Sequence, residues 1–189
     1  MTHMIGFYGT WRASDTSDIY ELALSFGAIA AQHGFTVLTG AYSGVMEAAP
    51  RGAMQAGGKT VGYSWLKLDN DLDTNRFLGV VTHFPEMEQR LARVVGDAAI
   101  CVFFPGRTGT VAELALATEM RAKGEKRFPL VLVGDFWNGF FSWLEKSNAS
   151  LDVPSDEDDL KDILYVRIDD AEAFDRFLEK HRAVLELAE

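Results

Sequence analysis

Short, continuously apolar runs alternate along the chain with stretches whose apolar residues recur at helical spacing. Met4–Tyr8, Phe35–Thr39, Thr60–Tyr63, Val80–Phe84, Ala98–Phe104, Leu130–Gly134 and Leu164–Ile168 read as strands. Asp18–His33, Ser43–Ala56, Met87–Val95, Thr110–Lys123, Gly139–Lys146 and Ala171–Leu187 read as helices, the first with Ile19, Leu22, Phe26 and Ile29 on one side. Gly34 and Gly57-Gly58 supply helix stops, while the polar stretch Leu66–Gly79 reads as a loop. Strands that are apolar throughout need cover on both faces. The pattern therefore predicts a doubly wound α/β domain with a mostly parallel sheet and helices on both faces. No repeat, low-complexity segment or linker divides it, so residues 1–189 read as one domain.

In such sheets ligands bind beyond the carboxyl ends of the strands, where strand order reverses. Three glycine-containing turns follow predicted strands: Gly9-Thr10-Trp11-Arg12, Gly40-Ala41-Tyr42-Ser43-Gly44, and Pro105-Gly106-Arg107-Thr108-Gly109-Thr110. The third is the most informative. Gly106 and Gly109 permit close backbone approach, and the loop opens directly into a helix whose first N–H groups lack internal partners. Thr108 and Thr110 add hydroxyls and Arg107 a cation, so a phosphate is the simplest occupant. A plain strand-to-helix turn with a threonine cap is the alternative. Glu113, three residues past Thr110, has two readings at this spacing: the acidic member of a capping box, or a carboxylate beside the phosphate pocket. The loop is neither a Walker A loop nor a dinucleotide G-x-G-x-x-G.

Composition narrows the function classes. Eighteen Lys+Arg against 28 Asp+Glu give a net charge of -10, which repels a phosphodiester backbone and argues against nucleic-acid binding. Part of the excess is one run, Asp152, Asp156, Glu157, Asp158, Asp159 and Asp162, which reads as a solvated surface. Cys101 is the sole cysteine and sits in an apolar run, the place of a small buried hydrophobe. No intrachain disulfide is possible, and the start of the chain has neither the charge nor the apolar stretch of a signal peptide. No apolar run approaches the roughly 20 residues of a membrane span. The expectation is a cytoplasmic protein without membrane contact. The four histidines, His3, His33, His83 and His181, show no metal spacing and are given no role, an approach of His83 to the site being the minor alternative.

The residues of the third loop carry a resemblance. Pro105, Gly106, Gly109, Thr110 and Glu113 match the P-G-G-x-G-T-x-x-E motif of the LONELY GUY (LOG) family, long labelled lysine decarboxylases, within a Rossmann-like nucleotide-binding superfamily. Gly40-Ala41-Tyr42-Ser43-Gly44-Val45-Met46 resembles its G-G-G-x-x-G-L-M segment, and Met87-Glu88-Gln89-Arg90 stands where the family has M-H-x-R-K. The resemblance implies hydrolysis of the N-glycosidic bond of an AMP-like nucleoside 5′-monophosphate, without cofactor or metal, in a homodimer. It assigns Glu113 and Arg90 as the catalytic pair, and Gly106, Arg107, Thr108, Gly109 and Thr110 as phosphate-binding. Gly9, Thr10, Gly40, Gly44 and Met87 would line the nucleotide. Five positions depart from the pattern: Arg107 replaces a glycine, Thr39 and Ala41 replace two more, and Glu88 and Leu91 stand where the family has histidine and lysine. Gly44-Val45-Met46-Glu47-Ala48-Ala49 looks closer to molybdenum-cofactor carriers, which implies the alternative of a non-hydrolytic binder of a phosphorylated, nucleotide-like ligand.

Among other residues, Arg51 and Arg93 are expected to pair with acids, and Arg12 to lie on the surface, with reach into the pocket as its second reading. Trp137, Phe140, Phe141 and Trp143 read as core, with a dimer interface as the second reading.

Overall fold

In a computed structural model, residues 3–69, 73–125, 130–149 and 165–186 are described. The strands are β1 (Met4–Tyr8), β2 (Thr36–Thr39), β3 (Thr60–Trp65), β4 (Val80–Phe84), β5 (Ile100–Phe103), β6 (Leu130–Val133) and β7 (Tyr165–Ile168). The helices are α1 (Asp18–Gln32), α2 (Val45–Gln55), α3 (Leu66–Asp69), α4 (Met87–Gly96), α5 (Thr108–Ala122), α6 (Asn138–Ala149) and α7 (Ala171–Glu186). All the strands pair in parallel, in the order β4-β3-β2-β1-β5-β6-β7. The chain walks outward from β1 to β4 and then crosses to β5 on the other side of β1. The order therefore reverses between β1 and β5, and that crevice is the ligand position in open α/β sheets.

The two-residue alternation of a strand divides the core. Ile5, Phe7, Val37, Ile100 and Val102 face one way, into a cluster with Phe26 of α1, Ala49 of α2 and Phe174 of α7. Tyr8, Leu38, Cys101, Phe103 and Leu132 face the other way, toward Val94 of α4, Leu114 and Ala117 of α5, and Trp137. Burial of both faces explains why these strands are apolar throughout.

The stretch expected to be a loop from Leu66 contains the short helix α3, and β3 runs on to Trp65. The second helix starts at Val45 rather than Ser43, because Gly44 takes a positive φ of 64 ahead of it. Leu164 and the acidic run from Asp152 to Asp162 lie outside the described residues.

Two glycines set how closely α1 and α2 approach. A Cβ on Gly27 would lie 2.0 Å from the Ala49 carbonyl oxygen, and one on Gly52 would lie 1.9 Å from that of Leu24. Helix propensity alone favours alanine over glycine by about 1 kcal/mol. Overpacking a backbone contact costs about 1–3 kcal/mol. Gly27→Ala is therefore expected to destabilise the protein in urea unfolding; a stabilised variant would show that the helices separate without penalty.

Candidate functional site

Three loops meet beyond β1, β2 and β5. The Thr10 N–H donates to the Pro105 carbonyl at 3.0 Å, and the Val45 N–H to the Thr10 carbonyl at 3.1 Å. Gly9 is pressed between Phe104 and Val45, each 2.8 Å from where its Cβ would be. A Cβ on Gly44 would lie 2.3 Å from the Thr10 carbonyl oxygen. Glycine at these positions thus locks the β1 turn onto the starts of α2 and α5.

Those helix starts differ from that of α1. Ser17 caps α1, accepting from the Tyr20 N–H at 3.4 Å, whereas neither Gly44 nor Arg107 gives a side-chain cap bond. The unpaired N–H groups and the helix dipole at α5 favour an anion there. Helix α5 starts at Thr108 with extended Arg107 at its N-cap, two residues earlier than expected. Thr110 is accordingly inside the helix and buried, its hydroxyl folded against Gly106, where a Cβ would lie 2.2 Å from Oγ1. Arg107, Thr108 and Gly109 stay exposed, and open space surrounds Gly109. The capping-box reading is excluded by the same shift. Glu113 falls in the second turn, and its carboxylate turns to another helix.

That partner is Arg90 of α4. Its Nη1 donates to Glu113 Oε1 at 3.1 Å, and its Nε donates to the Tyr63 carbonyl at 3.0 Å. The pair is largely buried, the two side chains 14% and 9% exposed. Gly40 admits the guanidinium: a Cβ there would lie 1.9 Å from Arg90 Nη2 and 2.7 Å from Met46 Sδ. Burial raises the Glu113 pKa above the usual carboxylate range, against the lowering effect of Arg90. Tyr8 lies below, its hydroxyl donating to the Val94 carbonyl at 2.7 Å, and burial raises its pKa well above the ordinary value.

The β2 turn is held by a consequence of Pro50, which lies inside α2 and has no N–H to give the Met46 carbonyl. Thr39 Oγ1 and Asn75 Nδ2 donate to that carbonyl instead, at 3.1 and 3.0 Å. Ala41 takes a φ of 76, ordinarily a glycine conformation, in this braced turn.

Met87 lies half exposed on the first turn of α4. Arg12 stacks on the half-exposed Trp11 ring, 5.0 Å from its centroid, beside the β1 turn. Arg93 pairs with Asp97 at 2.8 Å. Arg51 donates to the Tyr20 hydroxyl at 3.4 Å and covers the Phe77 ring, with no direct ion pair to an acid among the described residues. Trp137 and Phe141 are core, whereas Trp143 is 60% exposed.

One group had no expectation attached to it. Asp69 of α3 accepts from Ser64, from His83 and from Tyr42. Burial alone would raise the Asp69 pKa, but the bonds from His83, Ser64 and Tyr42 outweigh it and the net shift is downward. Burial pushes Tyr42 up to about 12.

A parallel sheet covered by helices on both faces, with glycine-containing turns at its switch point, defines a Rossmann-like α/β protein. More particularly, the chain belongs to the SLOG cluster4 family, whose model matches residues 2–127. Among solved structures it is similar to the molybdenum cofactor binding protein of the phototrophic bacterium Rippkaea orientalis, with 22% identity over 95% of this chain and 97% of that one, and a TM-score of 0.72. It is similar to the molybdenum cofactor carrier protein of Chlamydomonas reinhardtii, with 22% identity over 97% and 99% of the two chains and a TM-score of 0.71. A structural-genomics target designated TM1055 gives 20% identity over 95% and 99%, with a TM-score of 0.66. At these identities the likeness establishes the shared fold. No curated protein matches the chain. No described helix is long and apolar enough to cross a membrane.

Proposed function

We propose that the chain binds a nucleoside 5′-monophosphate at this crevice and hydrolyses its N-glycosidic bond, releasing the free base and ribose 5-phosphate. The observation that carries this reading is the buried Arg90–Glu113 pair beside the uncapped start of α5. In it, the exposed N–H groups of Thr108 and Gly109 take the phosphate, and Gly9, Thr10 and Gly44 let the backbone close around it. Cleavage builds positive charge on the ribose ring. A carboxylate held in a low-dielectric site stabilises that charge and accepts a proton from the attacking water. Arg90 fixes the carboxylate with Nη1 while its Nε is held by the Tyr63 carbonyl. Burial raises the pKa of Glu113, which makes its carboxylate a stronger base than an exposed one.

Incubating pure protein with AMP, GMP, CMP, UMP and an N6-modified AMP, and quantifying free base by chromatography, tests the reading. Base release by wild type is expected. Monophosphates are further expected to outcompete the matching nucleosides. Equal affinity for both would remove the anion role from residues 106–110.

The second reading is a carrier that binds a phosphorylated ligand without cleaving it. It is favoured by near-complete coverage of two structures named for binding or carrying the molybdenum cofactor. Tight binding with no base release would select it. For the homodimer implied by the LOG resemblance, Phe136, Trp143 and Tyr165, each 40% exposed or more, are the candidate contact residues. Sedimentation of wild type against Trp143→Glu tests that assembly.

A further inference from the structure

Two arginines stand at the mouth of the crevice without an acid to pair with. Arg12 and Arg107 are both exposed, and neither forms an ion pair among the described residues. Arg90, Arg93, Arg167 and Arg176 each meet a carboxylate, in a chain where 28 Asp+Glu outnumber 18 Lys+Arg. Arg12 lies over the Trp11 ring instead. The two backbones flank one contact: the Thr10 N–H donates to the Pro105 carbonyl at 3.0 Å, and each arginine follows its side of that contact by two residues. The Arg12 N–H turns back to Thr10 Oγ1 at 3.2 Å, and Ser43 Oγ donates to the Trp11 carbonyl at 3.0 Å. The β1 turn is thereby fixed where it carries Arg12.

Arg107 also sits where its charge opposes the fold. It is the N-cap of α5, the position whose side chain ordinarily folds over the first N–H groups and accepts from them. A guanidinium has no acceptor, and its charge adds to the positive end of the helix dipole. Helices α1, α2, α4 and α7 carry an acid in the first turn, whereas α5 carries none. An anion at the mouth relieves this arrangement. The N–H groups of residues 108 and 109 already serve one phosphate in the proposed function, and the LOG motif has glycine where Arg107 stands. The added cations therefore answer added negative charge. Space for it lies outward from α5, since no atom comes within 4 Å of where a Cβ on Gly109 would be.

Resting on the phosphate position of the proposed function, we propose that the crevice takes a nucleoside 5′-diphosphate, its second phosphoryl group held by Arg107. The phosphate next to the ribose lies at the N–H groups of α5. The terminal one lies outward, against the guanidinium of Arg107, with Arg12 adding positive potential beside it. A mouth of one sign of charge concentrates such a ligand even on a chain of net charge -10.

Calorimetric titrations in magnesium-free buffer compare ADP with AMP, and pyrophosphate with phosphate, the second pair having no glycosidic bond to break. Wild type is expected to hold each diphosphate about tenfold more tightly than its monophosphate, the size of one charge-assisted hydrogen bond. Arg107→Ser should bring both ratios close to one, Arg12→Ala should lower them by less, and Arg107→Lys, which keeps the charge, should retain most of the preference. Arg107→Ser should also raise the urea midpoint of the ligand-free protein, because serine caps α5 and the repelled charge is gone. A structural role for Arg107 predicts a lower midpoint, and that result overturns the proposal. Ratios near one in wild type, or ratios that survive Arg107→Ser, overturn it as well. The hydrolase reading stands or falls separately. Diphosphate preference without base release from AMP fails that reading and supports this one, whereas base release with no diphosphate preference does the reverse. A wild type that binds none of the four ligands overturns both.

Discussion

Glu113→Gln is expected to lower base release by at least 100-fold while changing nucleotide affinity by no more than a few-fold. The amide has the shape of the carboxylate and keeps an oxygen for Arg90 Nη1, so the 3.1 Å contact survives as a neutral hydrogen bond. It cannot take a proton from water or carry negative charge toward the developing cation. Affinity is spared because the proposed phosphate contacts belong to the backbone of residues 108 and 109. Stability is expected to move the other way from activity. The pKa of Glu113 is raised, so burying its charge is a net cost at neutral pH, and the neutral amide should melt no lower than wild type. Chromatographic rates, ligand titration and thermal melts read the three quantities. Wild-type turnover in the Glu113→Gln protein would remove Glu113 from catalysis.

Most of the fold is legible in the sequence because burial on both faces writes strands as continuous apolar runs. That signal places each described strand and the helices between them except α3, which lies in the polar stretch expected to be a loop. It does not give strand order, and order is what puts the Gly9 turn next to the Pro105–Thr110 loop. The start of α5 is misread for a local reason. Thr108 and Thr110 are both plausible caps by residue type, and the extended Arg107 that takes the position has no cap chemistry of its own. The contact between Glu113 and Arg90 is suggested by resemblance to a family. The slot that holds the guanidinium against Gly40 is a matter of packing. The Asp69 cluster is the least legible part, because Ser64 and His83 meet only through the parallel register of β3 and β4. A one-residue slip would turn each to the opposite face.

Arg90→Met is expected to destabilise the protein by about 3 kcal/mol at neutral pH, and by much less in acid, because it strands Glu113 in a buried site. The pH dependence follows from the direction of one pKa. In the wild type, burial holds the folded-state pKa of Glu113 above its ordinary value, and Arg90 opposes that rise. A group raised in the folded state contributes stability that is fully present below its unfolded pKa and is lost as pH climbs through the folded one. Without Arg90 the folded pKa rises further, so the loss continues to higher pH. The gap between variant and wild type should therefore be small near pH ~4, where Glu113 is largely protonated in both, and should widen toward pH ~8. Urea unfolding across that range measures it directly. A gap independent of pH would mean that methionine merely packs badly against Gly40 and Met46. Adding Glu113→Gln to Arg90→Met removes the stranded charge, and the double variant should regain most of the lost stability at neutral pH while remaining inactive. That combination separates the two roles proposed for the pair: Arg90 as the group that makes the buried carboxylate tolerable, and Glu113 as the reactive one.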